Sequence, residues 1–238
     1  MTDLLLDSFF ASCVGSGLSL DRKAAFQIMV SRPLVAATLI GFLLGNPTGG
    51  ITAGIFFELL YIGDLPIGGY VPSHETAITV VSTAVALMCA GLLDITGPLY
   101  SLIALSALLV IPLGHAFNLG DKVARRYNVR YFHDAHVTVM DDYRVIIRKN
   151  MKGLAALFIA TFTTILVTIL AGTLIVSTLY HLLPNVVVVK LLPMVWVALV
   201  LLGFAATYNT AYSDKARLLF CAAVGLFAAL FMTVWYGW

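Results

Sequence analysis

Residues 153–182 read GLAALFIATFTTILVTILAGTLIVSTLYHL, without a single Asp, Glu, Lys or Arg. A run of this length and composition suits hydrocarbon better than water. About 20 apolar residues at 1.5 Å each span the ~30 Å core of a bilayer. Further apolar runs lie at about 4–20, 76–93, 98–118, 186–208 and 218–238. Of the 238 residues, 61% are hydrophobic and 11% charged. A soluble domain carries about a quarter charged residues, so this chain cannot cover a water-facing surface. No run alternates polar and apolar as a barrel strand would. The expectation is an all-α, polytopic integral membrane protein, one membrane domain over 1–238.

The opening MTDLLLDSFFASCVGSGLSL lacks a basic n-region and carries an Asp in its apolar run. It reads as a first membrane helix rather than a signal peptide. Cys13, Cys89 and Cys221 are far apart in apolar runs, which points to buried thiols rather than a metal site or disulfide. A net charge of +2 gives no reason to expect nucleic acid.

Two apolar runs, 34–44 and 51–62, are too short to span. The breaker GNPTGG joins them. Short segments with Gly/Pro interruptions read as re-entrant or broken helices, and irregular backbone at membrane depth survives only inside protein or beside a wet cavity. The motif 33–75 is therefore expected to face inward. The segment 121–152 differs in kind, holding eight of the fourteen Lys and Arg residues. Val139, Met140, Tyr143, Ile146, Ile147 and Met151 recur at helical spacing, with Arg144, Arg148 and Lys149 on the other side. This predicts a cytoplasmic amphipathic helix on membrane lipid or, alternatively, a docking face for a soluble partner. Placing 21–32, 121–152 and 209–217 in the cytoplasm leaves Lys190 as the outside cation, provided 33–72 enters and returns on one side. Trp235, Tyr236 and Trp238 fit an outer aromatic belt.

The stretch from Gly45 to Glu75 sets Glu58, Asp64, His74 and Glu75 among apolar residues. An ionised carboxylate in a span costs a few kcal/mol, so Glu58 needs a cavity, a partner or a substrate. Sugar hydroxyls are one answer, because charge-assisted bonds are about twice as strong as neutral ones. Phe56, Phe57, Tyr61 and Tyr70 could stack on a sugar's apolar face. The other answer pairs Glu58 with Arg32 or a helix N-terminus. Asp64, in GDLPIG, suits turn or capping duty. Ser73 is the expected N-cap of a helix starting near Thr76, and His74 is divided between ligand contact and capping. No nucleophile constellation, phosphate cradle or metal-spaced cluster is present. His133 and His136 in HDAH are only two ligands. The expectation is a non-enzyme without cofactor or metal.

The stretch SRPLVAATLIGFLLGNPTGGITAGIFFELLYIGDLPIGGYVPSHETAITVVSTAVAL resembles the IIC membrane component of the mannose/fructose/sorbose family of the bacterial phosphotransferase system. Arg32, Pro33, Leu34, Gly45, Gly49 or Gly50, Glu58, Leu59, Gly63, Ile67, Gly68, Ser82 and Thr83 carry it. The resemblance implies a multi-pass inner-membrane permease subunit moving a hexose-like sugar. A IID membrane subunit would be its partner, and soluble IIA and IIB would carry the phosphate. The assembly would be a homo-oligomer of IIC–IID pairs. The implied substrate-binding set is Glu58, Asn46, His74, Glu75, Asp64 and Tyr70. Two positions depart from the family: its Gly-Asp is Gly45-Asn46 here, and its Pro-Asp is Ser73-His74. Asn46 keeps hydrogen bonding to hydroxyls but not charge. The alternatives are an ion-coupled secondary transporter, or a non-transporting scaffold or sensor of an incomplete phosphotransferase system.

Overall fold

The computed structural model describes residues 2–25, 27–64, 73–95, 99–138 and 143–210. Among these the chain is helical and without strands. Its helices are α1 (Thr2–Lys23), α2 (Pro33–Leu43), α3 (Pro47–Tyr61), α4 (Glu75–Leu92), α5 (Tyr100–Val110), α6 (Gly114–Thr138), α7 (Tyr143–Leu182) and α8 (Leu192–Thr210). Five helical stretches among the described residues are long and apolar enough to cross a membrane: Leu4–Arg22, Glu75–Leu92, Tyr100–Arg130, Arg144–Leu182 and Val187–Thr210. The all-α membrane expectation is met. Residues 211–238, with the last apolar run, Cys221 and the terminal aromatics, lie outside the described residues, as does Tyr70.

The helical breaks follow from local chemistry. A short 3₁₀ turn at Ile111–Leu113 carries Pro112 between α5 and α6. A π turn at Val187–Leu191 precedes Pro193, which has no amide hydrogen to give the turn before it.

GNPTGG folds the sharpest break. Gly45 takes φ 72°, the left-handed conformation that ends a helix. Its N–H bonds the Phe42 carbonyl at 3.3 Å, and the Asn46 N–H bonds the Gly41 carbonyl at 2.8 Å. Those are the two bonds of a Schellman cap. Asn46 then opens α3: its Oδ1 accepts from the Gly49 N–H at 2.9 Å, with Pro47 in the first turn. The result is a helical hairpin whose two legs pack along their length. Without a hydrophobic gain between helices in lipid, such packing depends on close backbone approach. A Cβ on Gly50 would lie 2.6 Å from the Ala37 carbonyl oxygen, so that position admits only glycine without a shift.

Helix α4 is the axis of the bundle, buried at every residue from Glu75 to Ala90. Val80 lies against Gly15 of α1, Val85 against Gly172 of α7, and Leu87 against Gly49 near the hairpin tip. Phe56 and Phe57 are core residues at 1% and 0% exposure, with Phe56 against Trp196 at 5.3 Å between centroids. Their rings serve packing rather than ligand stacking.

Both ends of the hairpin leave at the same end of the bundle. The Thr76 hydroxyl donates to the Ser31 carbonyl at 3.0 Å, and the Ser73 hydroxyl to Asp64 at 3.3 Å. Within the basic stretch 121–152 the described residues, 121–138 and 143–152, are helical and form the end of α6 and the start of α7. They are tied by the Asn128 amide donating to the Gly153 carbonyl at 2.9 Å. Helix α7 has 40 residues. That is about 60 Å at 1.5 Å per residue, twice a hydrocarbon core, so its basic first turns extend past the apolar run. Ile146, Ile147 and Met151 are exposed there, while Val139 and Met140 lie outside the described residues.

Candidate functional site

The structure separates the expected site residues into four places. Asn46 is at the hairpin tip, occupied as the cap of α3. Glu58 is near the hairpin base. It accepts from Arg32 Nε at 2.9 Å and from Arg32 Nη2, and its other oxygen accepts from the Leu34 N–H at 3.2 Å. Arg32, the residue before α2, supplies no side-chain cap to that helix. A carboxylate from the opposite leg does so instead, beside the positive end of the α2 dipole. Of the two sequence alternatives for Glu58, this geometry is the pairing one. The pair is not dry: the Arg32 and Glu58 side chains are 31% and 23% exposed.

His74 and Glu75 open α4. The N-cap is His74, not Ser73: its Nδ1 accepts from the Ala77 N–H at 3.3 Å. Serine is the commoner cap, but Ser73 turns its hydroxyl to Asp64. Because Nδ1 accepts, the proton of the neutral ring sits on Nε2, which faces Asp121 of α6 at 3.8 Å. Arg22 of α1 approaches Glu75 at 3.6 Å and donates to the Ser73 carbonyl at 3.2 Å. The backbone of residues 27–31 is gathered to the same place by Asp21, which accepts from the Ile28 and Ser31 N–H groups at 2.9 and 3.2 Å.

Asp64 lines a cavity of about 570 Å³. Its wall comes from Leu60, Tyr61, Gly63 and Asp64 at the end of α3, Ser73, the turn residues Ile111 and Pro112, His115, and Ala206, Asn209 and Thr210 at the end of α8. The volume falls in the range of about 300–1,000 Å³ typical of small-ligand sites. Its polar set is a carboxylate, an imidazole, a primary amide, a phenol and two aliphatic hydroxyls. Such groups match the paired donors and acceptors of a polyol. Sequence reading found Asp64 but not His115, Asn209 or Thr210, which lie far along the chain from the Gly-rich stretch. Tyr61, one of the four rings of the Gly-rich stretch, enters the site through its position in the wall. No group of three or more metal-ligating His, Cys, Asp or Glu side chains occurs among the described residues.

Among the described residues the fold is that of a polytopic helical membrane protein with a polar-lined cavity at one end of its helices. The chain belongs to the family described as the PTS system sorbose-specific IIC component, whose profile it matches over residues 5–236. It is similar to the mannose-specific EIIC component of Escherichia coli strain K12, 31% identical over 128 residues, covering 53% of this chain and 42% of that protein. It is also similar to the sorbose-specific EIIC component of Lacticaseibacillus casei, 29% identical over 85 residues, covering 36% of this chain and 29% of that one. The matched segments thus span less than half of either relative. Two solved structures share the fold. One is described as a membrane protein, with TM-score 0.67 and 20% identity, covering 100% of this chain and 96% of that one. The other is the mannose transporter ManYZ in complex with microcin E492, with TM-score 0.57 and 19% identity and the same coverage.

Proposed function

We propose that this chain is the sugar-translocating IIC subunit of a mannose-family, phosphoenolpyruvate-dependent phosphotransferase system in the bacterial inner membrane. It moves a hexose-like sugar together with a IID membrane subunit, and soluble IIA and IIB phosphorylate that sugar as it arrives. Phosphoryl transfer belongs to those carriers, and this subunit supplies the path. The observation that carries the reading is the cavity holding Asp64, Asn209 and His115 at the end of the bundle where Arg22, Arg32 and the basic arms of α6 and α7 lie. Cations of this kind mark the cytoplasmic side, so the cavity opens toward the soluble carriers. In this reading Asp64 accepts from sugar hydroxyls, Asn209 and His115 complete the contacts, and Glu58 fastens the hairpin. Exposed apolar faces of α7 and α8 meet lipid and the IID subunit.

The test is sugar binding by the purified IIC–IID complex. Asp64→Asn is expected to weaken binding at least tenfold, about 1.4 kcal/mol, with thermal stability unchanged. Unaltered affinity in Asp64→Asn and Asn209→Ala, or sugar uptake that proceeds without a phosphoryl donor, overturns the reading.

A further inference from the structure

Serine and threonine hydroxyls inside membrane helices ordinarily bond a carbonyl one turn back, which hides them from the hydrocarbon. Ser8, Ser12, Ser16 and Ser19 of α1 do so at 2.6–2.8 Å, as do Thr168 and Thr173 of α7. Helix α4 breaks the pattern. The Oγ atoms of Thr79, Ser82 and Thr83 are buried at 0–1% residue exposure with no hydrogen-bond partner, and Oε2 of Glu75, a residue 8% exposed, is likewise buried without one. At 3.6 residues per turn, positions 75, 79, 82 and 83 share one face. Other sides of α4 are already assigned: Val80 and Met88 meet α1, and Val85 and Cys89 meet α7. Thr79 and Thr83 stand on the side of Thr76, whose hydroxyl bonds the Ser31 carbonyl, and of Leu87, which meets Gly49 of the hairpin, while Ser82, three residues before Val85 and seven before Cys89, lies at the border with α7; α5 and the hairpin both pack on α4.

We propose that this face is an occluded continuation of the cavity, a track for a polyhydroxylated substrate that opens when α5 and the hairpin draw back from α4. The proposal rests on the sugar-permease reading and deepens it. The track begins beside Ser73 in the cavity wall, passes the free oxygen of Glu75, and ends at Thr83, about 12 Å further along the helix axis. Each hydroxyl on it both donates and accepts, as does each sugar hydroxyl, so bonds can be exchanged one for one along the path. Hydroxyls committed to their own helix, like those of α1, could not offer this. In the closed packing seen here the face is sealed, and the sugar waits in the cavity.

The experiment compares the wild-type IIC–IID complex, reconstituted with its phosphocarriers, with the variant Thr79→Val/Ser82→Ala/Thr83→Val. The expected result is at least a tenfold loss of hexose uptake, with a melting temperature equal to or above wild type because buried unpaired hydroxyls are gone. Uptake equal to wild type overturns the proposal. A lowered melting temperature overturns it too, since the hydroxyls would then be holding the fold. Thr83→Ser, which keeps a hydroxyl, is expected to retain uptake, and Thr83→Val to lose it. A second readout is independent of flux. Ser82→Cys should react at least tenfold faster with a charged methanethiosulfonate reagent when the hexose is present, against a wild-type control for the native thiols. A rate indifferent to sugar counts against the track. If wild type itself takes up no hexose, the functional reading fails and this proposal with it. If wild type and the triple variant take it up alike, only this proposal fails.

Discussion

Glu58 and Glu75 stand at the same end of the bundle, each beside an arginine, and they are used in opposite ways. Glu58 is the more exposed, at 23% of its side chain, yet both its oxygens are bonded, to Arg32 and to the Leu34 N–H. Glu75 is deeper, at 10%, with one oxygen 3.6 Å from Arg22 and the other without a partner. If burial alone set the demand for hydrogen bonds, the order would be reversed, because a deeper charge costs more when left unmet. The difference separates an acid that fastens two helices from an acid that heads a row of uncommitted polar groups. The first fastens the hairpin, and in the proposed track the second offers its unbonded oxygen to the sugar.

The largest effect that would test this contrast is at Arg32. Arg32→Ala leaves the Glu58 carboxylate with only the Leu34 N–H. Breaking a fully buried pair costs about 3–5 kcal/mol, and partial exposure here lowers the expectation to roughly 2–3 kcal/mol. Thermal unfolding in detergent measures it. A change below about 0.5 kcal/mol would remove the distinction between the two acids.

Next is Glu75→Gln. Its pairing with Arg22 is loose, so stability is expected to stay within about 1 kcal/mol of wild type. Hexose uptake by the reconstituted complex is expected to fall about tenfold, equivalent to about 1.4 kcal/mol. If the variant unfolds as early as Arg32→Ala, Glu75 is a second fastener and the contrast is wrong.

A smaller effect belongs to the hairpin tip. Asn46→Ala removes the cap on α3 and should cost about 1 kcal/mol, while Asn46→Asp, which can accept the same Gly49 N–H, should cost little. Equal losses in both would mean that the amide donor, not the cap, matters at this position.

How much of this was legible in the sequence varies with the range of the interaction. The membrane helices and the broken hairpin were readable, because apolar run length and GNPTGG act locally. The roles of Gly45 and Pro47 follow from backbone rules that need no tertiary context. Asn46 was read as a partner for hydroxyls; the N–H groups exposed at the start of α3 claim it first. His74 was divided evenly between capping and ligand contact, and Ser73 stood as the expected cap. Only the proximity of Asp64 decides that Ser73 points elsewhere. The cavity wall was not readable, since it joins Asp64 to His115, Asn209 and Thr210 through packing of α3, α6 and α8. The α4 hydroxyls were the least legible. Ser and Thr recur in α1, α4 and α7 alike, and only the side-chain rotamer shows which of them back-bond.

That last point gives the smallest predicted effect and the one that turns on sign. Ser12 is fully buried, and its Oγ donates to the Ser8 carbonyl at 2.7 Å. That carbonyl already receives the helical N–H, so Ser12→Ala loses one bond and strands no donor. The expected cost is about 0.5 kcal/mol, the low end for a neutral hydrogen bond. Uptake should not change, because the hydroxyl was never available to a substrate. Thr83→Val removes the same group from an equally dry position, but one with no bond to lose, so stability should hold or rise while uptake falls. Two hydroxyl deletions in neighbouring helices thus have opposite expected effects on the same pair of measurements. If both lower stability and both spare uptake, α4 is packed like α1 and its uncommitted hydroxyls have no part in carrying sugar.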